Sequence, residues 1–186
     1  MNRPVVPRMS IEAFEAWAEG QDGRYELVRG RPVMMNQTTR YHSRITMNIV
    51  VGLMTSIDRS QYDVAAGDFA LKTGDDTLRL ADIMVTPMKG SGQDRLTDEA
   101  VLLIEILSPS TASEDFGPKQ AEYLALTSLK AYLIVAQDKA CAWLWLRGEN
   151  GFPEKPEMIE DLNATLTIDA LSLTLPMKDI YARVEF

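Results

Sequence analysis

The run Ala100-Val101-Leu102-Leu103-Ile104-Glu105-Ile106-Leu107 constrains this chain more than any other segment. With one polar residue in it, the run has no outward face, so it fits a strand buried on both sides in the middle of a sheet. Such a strand needs a covering layer on each side. Its polar member, Glu105, then sits where a lone charge is costly unless paired. Asp82 repeats the anomaly inside Arg79-Leu80-Ala81-Asp82-Ile83-Met84-Val85, a second apolar strand pattern. If the two strands are neighbours, carboxylates about 4 Å apart repel by roughly 4 kcal/mol at an effective dielectric near 20. A divalent cation between them reverses that sign. The alternative is that Asp82 ends a strand in solvent while Glu105 pairs with Arg79 or Lys119.

The remaining elements supply layers for such a sheet. Ser10 caps a short amphipathic helix with Ile11, Phe14, Trp17 and Ala18 at helical spacing, stopped by Gly20 and Asp22-Gly23. Tyr25 to Val28 and Pro32 to Met35 read as a hairpin around Arg29-Gly30. From His42 to Ile57, Ile45, Ile49, Leu53 and Ile57 recur every fourth position, which predicts the longest helix of the first half, packed on a sheet. Tyr62 to Lys72 and Leu78 to Pro87 read as two strands joined by Thr73-Gly74-Asp75-Asp76, followed by a loop from Lys89 to Asp98. After Ser108-Pro109, Thr111 and Glu114 have capping-box spacing, and the helix restarts at Pro118 and runs to Leu126. Lys130 to Val135 and Cys141 to Arg147 form a strand pair, and the tail through Ile180 reads as edge strands with a final turn. The order predicts an α/β (α+β) fold with one central mixed sheet flanked by helices, and residues 1–186 as a single domain.

Composition narrows the chemistry. One cysteine, Cys141, excludes an internal disulfide framework and a cysteine-rich zinc module, and the single histidine, His42, excludes a multi-histidine metal site. A metal would need oxygen ligands, which points to Mg²⁺ or Mn²⁺. The formal net charge of −8 provides no global positive field for nucleic acid. No apolar run approaches the ~20 residues of a membrane span and the N-terminus lacks a signal-peptide core, so no membrane and a cytoplasmic location are expected.

Several segments together resemble the Uma2 family, formerly a domain of unknown function. They are Tyr25-Glu26-Leu27-Val28-Arg29-Gly30, Tyr41-His42, Leu80-Ala81-Asp82-Ile83-Met84-Val85, Leu103-Ile104-Glu105-Ile106-Leu107-Ser108-Pro109-Ser110-Thr111, the stretch from Asp115 to Tyr123 with Lys119, and Lys130-Ala131-Tyr132-Leu133-Ile134-Val135. The resemblance covers nearly the whole chain. It implies membership of the PD-(D/E)XK nuclease superfamily, with a restriction-endonuclease-like core. On that basis Asp82 and Glu105 are the expected ligands of Mg²⁺ or Mn²⁺, and Lys119 the group that orients water or stabilises charge on phosphorus. The parent motif's lysine position, two places after the glutamate, holds Leu107, and Ala81 replaces the family's usual proline. For Lys119, the bland alternative is an exposed helix lysine paired with Asp115.

Glu26 and His42 are further catalytic candidates: Glu26 as an added metal-side carboxylate or a solvent-facing strand residue, His42 as a phosphate or water contact or a helix-start packing residue. Asp68, in a strand pattern beside that of Asp82, reads best as the polar face of an edge strand. Ser110 and Thr111 lack a partner base, Cys141 reads as a small hydrophobe, and Trp143 with Trp145 reads as core or dimer surface ahead of base stacking. The expected function is a metal-dependent endonuclease acting on nucleic acid, DNA ahead of RNA, with Arg40 and Arg44 on a helical face beside His42 among the few arginines able to contact phosphate. Two readings stand beside it: a catalytically silent nuclease-fold binding or regulatory module, including a homodimer, and a metal-dependent hydrolase of a small phosphorylated molecule.

Overall fold

The computed structural model describes residues 8–108 and 112–186. The helices are α1 (Ile11–Ala18), α2 (Arg40–Ser56), α3 (Ala112–Asp115), α4 (Pro118–Leu124) and α5 (Met177–Ile180). The strands are β1 (Tyr25–Val28), β2 (Arg31–Met34), β3 (Tyr62–Ala66), β4 (Ala70–Gly74), β5 (Thr77–Arg79), β6 (Ile83–Pro87), β7 (Leu96–Thr97), β8 (Leu102–Leu107), β9 (Ala131–Ala136), β10 (Ala142–Leu146), β11 (Glu157–Ile159), β12 (Thr165–Ile168) and β13 (Leu173–Pro176). A six-stranded sheet runs β11-β10-β9-β8-β6-β3, a five-stranded sheet β2-β1-β5-β4-β7, and β12 pairs with β13. In the large sheet β8 and β9 are parallel and the other pairs antiparallel, so the expected central mixed sheet flanked by helices is the architecture observed.

The apolar run lies in the middle of that sheet as β8, between β6 and β9. Because side chains alternate along a strand, Leu102, Ile104 and Ile106 face one layer while Leu103 and Glu105 face the other. The first layer is built by Ile45, Ile49 and Leu53 of α2 together with Leu166, Leu173, Leu175 and Met177. The second contains Leu71, Met84, Leu103, Tyr123, Tyr132, Ile134 and Trp145, and places α4 and the smaller sheet over the opposite face. A third cluster packs Ile11 and Phe14 of α1 on Leu27 and Leu78. The β1–β2 hairpin closes through Arg29 and Gly30, both at positive φ (50° and 74°), the conformation a two-residue turn needs to follow strand twist.

Three expectations need correction. The stretches Tyr62 to Lys72 and Leu78 to Pro87 are each two strands, not one. The chain leaves the large sheet after β3, turns at Gly67 (φ 93°), builds β4 and β5 in the small sheet, and returns through Leu80 to Asp82 into β6. Alternation persists across such a crossing, so periodicity alone does not reveal it. The tail does not form an edge of the large sheet: β12 and β13 pair only with each other and cover its α2 face, where they complete the core. Helix α4 ends at Leu124 rather than Leu126. The expected Thr111 cap, with Ser110, lies outside the described residues.

Candidate active site

The crossing from the small sheet to the large one builds the site. β6 and β8 are antiparallel neighbours with Met84 opposite Leu103, and continuing that register brings Asp82 opposite Glu105. Asp82 Oδ2 accepts the Ile106 backbone N–H at 2.7 Å, which ties the carboxylate to the neighbouring strand. The same oxygen lies 3.1 Å from His42 Nε2. His42 is held there by the start of α2: Thr39 accepts the His42 N–H at 3.1 Å and donates to Gln137 Oε1 at 2.5 Å, just past β9.

Glu105 is 3% exposed and receives two donors on one oxygen. Lys119 Nζ lies 2.9 Å from Glu105 Oε1, and the Tyr123 hydroxyl, one turn further along α4, donates to that oxygen at 3.0 Å. Lys119 also reaches Glu26 Oε1 at 3.4 Å. Glu26, from β1, accepts the Leu80 N–H at 3.0 Å and Arg79 Nη1 at 2.9 Å. The far side of the Arg79 guanidinium grips Glu122 of α4 through Nε at 2.7 Å and Nη2 at 2.9 Å. A buried chain of alternating charge thus joins β1, β5, α4 and β8. Each charge in it has a partner, the condition under which buried charge is tolerated.

The charges do not balance. Among the described residues Glu26, Asp82, Glu105, Asp115 and Glu122 stand against two permanent cations, Arg79 and Lys119, all on buried or nearly buried side chains. Burial pushes the Glu105 carboxyl well above the usual range; Lys119 opposes this, while the charges of Asp82 and Asp115 add to it. Asp82 goes the other way: burial resists ionisation, but the His42 bond and charge, the Ile106 N–H and Lys119 outweigh it and hold the group low. Glu26 is also low, because Lys119, Arg79 and the Leu80 N–H overcome its burial. The Lys119 ammonium is raised despite burial by Glu105, Glu26 and Asp115, so it stays charged and cannot serve as a base. An ionised Asp82 only accepts, so His42 Nε2 carries the proton between them.

Asp82, Glu105, Lys119, Glu26 and His42 therefore converge on one cleft of about 500 Å³, whose floor includes Ile106, Ser108 and Gln137 at the carboxyl ends of the parallel pair β8 and β9. Glu26 is not the solvent-facing residue of its alternative reading, and Lys119 is not an exposed helix lysine. The sequence reading offered Arg79 only as an alternative partner of Glu105, whereas it pairs with Glu26 and Glu122, and it carried Tyr123 only within the stretch that resembles the family. Glu122 and Gln137 it missed, and neither carried a signal. Asp68 is exposed in the turn after β3 and pairs with Arg24 at 2.5 Å, away from the cleft. Arg40 and Arg44 do not line the cleft: Arg44 donates to the Arg183 carbonyl, and a helix turns both away from His42. Trp145 is buried against Tyr132, Trp143 meets Phe116 edge-on, and Cys141 is buried, so no base-stacking platform is formed by the tryptophan strand.

Among the described residues no group of three or more His, Cys, Asp or Glu side chains is arranged to hold a metal ion. Two carboxylates suffice for Mg²⁺ or Mn²⁺, which keep waters and take oxygens from substrate phosphate. The bonds described for Asp82 converge on Oδ2 and those for Glu105 on Oε1. Their second oxygens, with the surplus negative charge, make a donor set that fits such an ion.

A family model for Uma2, described as a putative restriction endonuclease, matches residues 11–178. An uncharacterized protein, slr1290, of Synechocystis sp. is 24% identical over 150 residues, covering 78% of this chain and 77% of its own. Among solved structures, the crystal structure of a putative nuclease belonging to DUF820 from Anabaena variabilis superposes with a TM-score of 0.73 at 14% identity. It covers 95% of this chain and 99% of that one, so the two share a fold.

Proposed function

The chain belongs to the Uma2 family, and on that premise we propose that it is a metal-dependent nuclease hydrolysing phosphodiester bonds with Mg²⁺ or Mn²⁺ bound by Asp82 and Glu105. One observation carries this reading: Asp82, fastened by the Ile106 N–H at 2.7 Å, continues the register that sets it across from Glu105, whose Oε1 is 2.9 Å from the Lys119 ammonium. Bound there, the cation would polarise the phosphate and lower the pKa of a bound water. The chain's own groups do the rest. Asp82 and Glu105 present oxygens, His42 fixes the orientation of Asp82, and Lys119 holds a permanent positive charge where negative charge grows on the phosphoryl oxygens. Arg79 and Tyr123 act through Glu26 and Glu105 as positioning residues.

Incubating wild type and Asp82→Asn with supercoiled and single-stranded DNA and RNA in Mn²⁺ tests the proposal. Cleavage by the wild type that the variant loses is expected. Equal activity in both, or none in the wild type, overturns it. A second reading, hydrolysis of a small phosphorylated molecule, is favoured by a specific feature: Arg79 and Lys119, the cationic side chains lining the cleft, are both bound to carboxylates. Mononucleotide and phosphodiester substrates in the same assay separate the two.

A further inference from the structure

The turn of the β1–β2 hairpin places Arg29 where Asn, Asp or Gly sits with little strain, and holds its backbone at φ 50° against its own Cβ. Two further arginines gather at the same tip. Arg31 follows the turn directly, and Arg8 packs over it: a Cβ on Gly30 would lie 3.0 Å from Arg8 Cβ, and the Met9 N–H donates to the Gly30 carbonyl at 2.8 Å. All three arginines are exposed, and among the described residues none of them has an ion pair, whereas Arg24, Arg79 and Arg95 each hold a carboxylate. The neighbouring β4–β5 turn brings Asp75 and Asp76, the latter accepting the Gly30 N–H on its carbonyl at 2.7 Å. Three cations outnumber those two acids, so the tip is positive in a chain of net charge −8.

The hairpin joins this patch to the cleft. Side chains two apart on a strand share a face, and so do residues paired directly across strands. Glu26 and Val28 of β1 therefore share a face with Val33 and Arg31, their partners in β2. Leu27 points the other way, into the cluster with Ile11 and Phe14. Glu26, Val28 and Val33 line the cleft, and Arg31 stands on the same face, a two-residue step of about 6.6 Å beyond Val33. We propose that the hairpin is a nucleic-acid rail: with the scissile phosphate at Asp82 and Glu105, the strand leaves over Val28 and Val33, and Arg31, Arg29 and Arg8 bind its next phosphates. This rests on the nuclease reading of the cleft and supplies the free cations that the cleft itself lacks, since Arg79 and Lys119 are engaged by carboxylates. It selects a polynucleotide over a small phosphorylated molecule, which would end inside the cleft. An unfavourable backbone at Arg29 is then kept because the cation there is used.

Fluorescence anisotropy of a labelled single-stranded DNA oligonucleotide with the full chain, in EDTA so that nothing is cut, tests this apart from catalysis. Affinity should fall with salt, and each lost phosphate contact should flatten the plot of log K against log salt by about 0.7. Arg31→Gln is expected to do so and to weaken binding about fivefold at 0.1 M salt. Arg29→Asn should weaken binding likewise while raising the melting temperature, because asparagine suits positive φ. Arg59→Gln, at an exposed position beyond the far end of α2 from His42, should leave the slope unchanged. The proposal is overturned by a wild type that does not bind, by a slope indifferent to Arg31→Gln and Arg29→Asn, or by one that Arg59→Gln changes equally. Tighter binding of an acidic peptide at the same arginines also overturns it. The nuclease reading fails separately, if Asp82→Asn still cuts.

Discussion

Lys119 Nζ lies 2.9 Å from Glu105 Oε1, although the two residues belong to a helix and a strand on either side of a long connection. The pair brings an ammonium from α4 to the end of β8, where the strand itself offers Leu107. What the chemistry requires is the position of the charge in space, and a helix can deliver it as well as a strand.

Replacing Lys119 by Met therefore tests charge separately from packing. Loss of one fixed stabiliser of transition-state charge costs about 10²- to 10³-fold in turnover. Stability moves as well, because Glu26 and Glu105 lose a shared partner. Cleavage kinetics in Mn²⁺ and thermal unfolding of the same variant read the two effects.

His42→Ala removes the proton donor that aims Asp82. Outer-shell partners of this kind are worth about 10- to 100-fold in metal affinity. Calorimetric titration with Mn²⁺ should show that weakening with unchanged stoichiometry. Unchanged affinity would mean that the Ile106 N–H alone orients Asp82.

Arg79→Met leaves Glu26 and Glu122 without the cation that joins them, and breaking a buried pair in this way costs about 3–5 kcal/mol. Denaturant unfolding measures it. The acid limb should move too. Glu26 titrates low in the fold, so its contribution is complete above the unfolded value of about 4.3 and is lost as pH falls through the lower folded value. Without Arg79 the folded value of Glu26 rises towards the unfolded one, so its share of the acid-limb loss shrinks.

Glu105 carries the opposite sign. Its folded pKa is raised, so the cation-free protein loses stability as pH climbs from the unfolded glutamate value through the higher folded one. A cation binding at Glu105 displaces that proton. Affinity for Mn²⁺ should rise about tenfold per pH unit while Glu105 is protonated and level off above its folded pKa. Proton release measured in buffers of different ionisation enthalpy gives an independent check.

The buried strand was legible because a double-sided apolar run has one physical solution, and the same run exposed Glu105 as a misfit. The α2 stripe, the first hairpin and the β9–β10 pair were equally plain, since each satisfies its own periodicity within a few residues. The crossings at Gly67 and at Leu80 to Asp82 were not, because leaving one sheet for another changes partners without changing alternation. Asp68 was misplaced for that reason: it lies in the turn where the chain departs, not on a strand beside Asp82.

Residue types and short-range pattern determined the layers, the expectation of oxygen ligands for any metal, and the carboxylates and lysine worth watching. Only the tertiary structure decided which of them meet. Arg79 belongs between Glu26 and Glu122 because β1, β5 and α4 come together there, and Glu105 is raised because other segments bring Asp82 and Asp115 to it. Pairing of distant charges depends on topology and register, and neither is written in the spacing of any one segment.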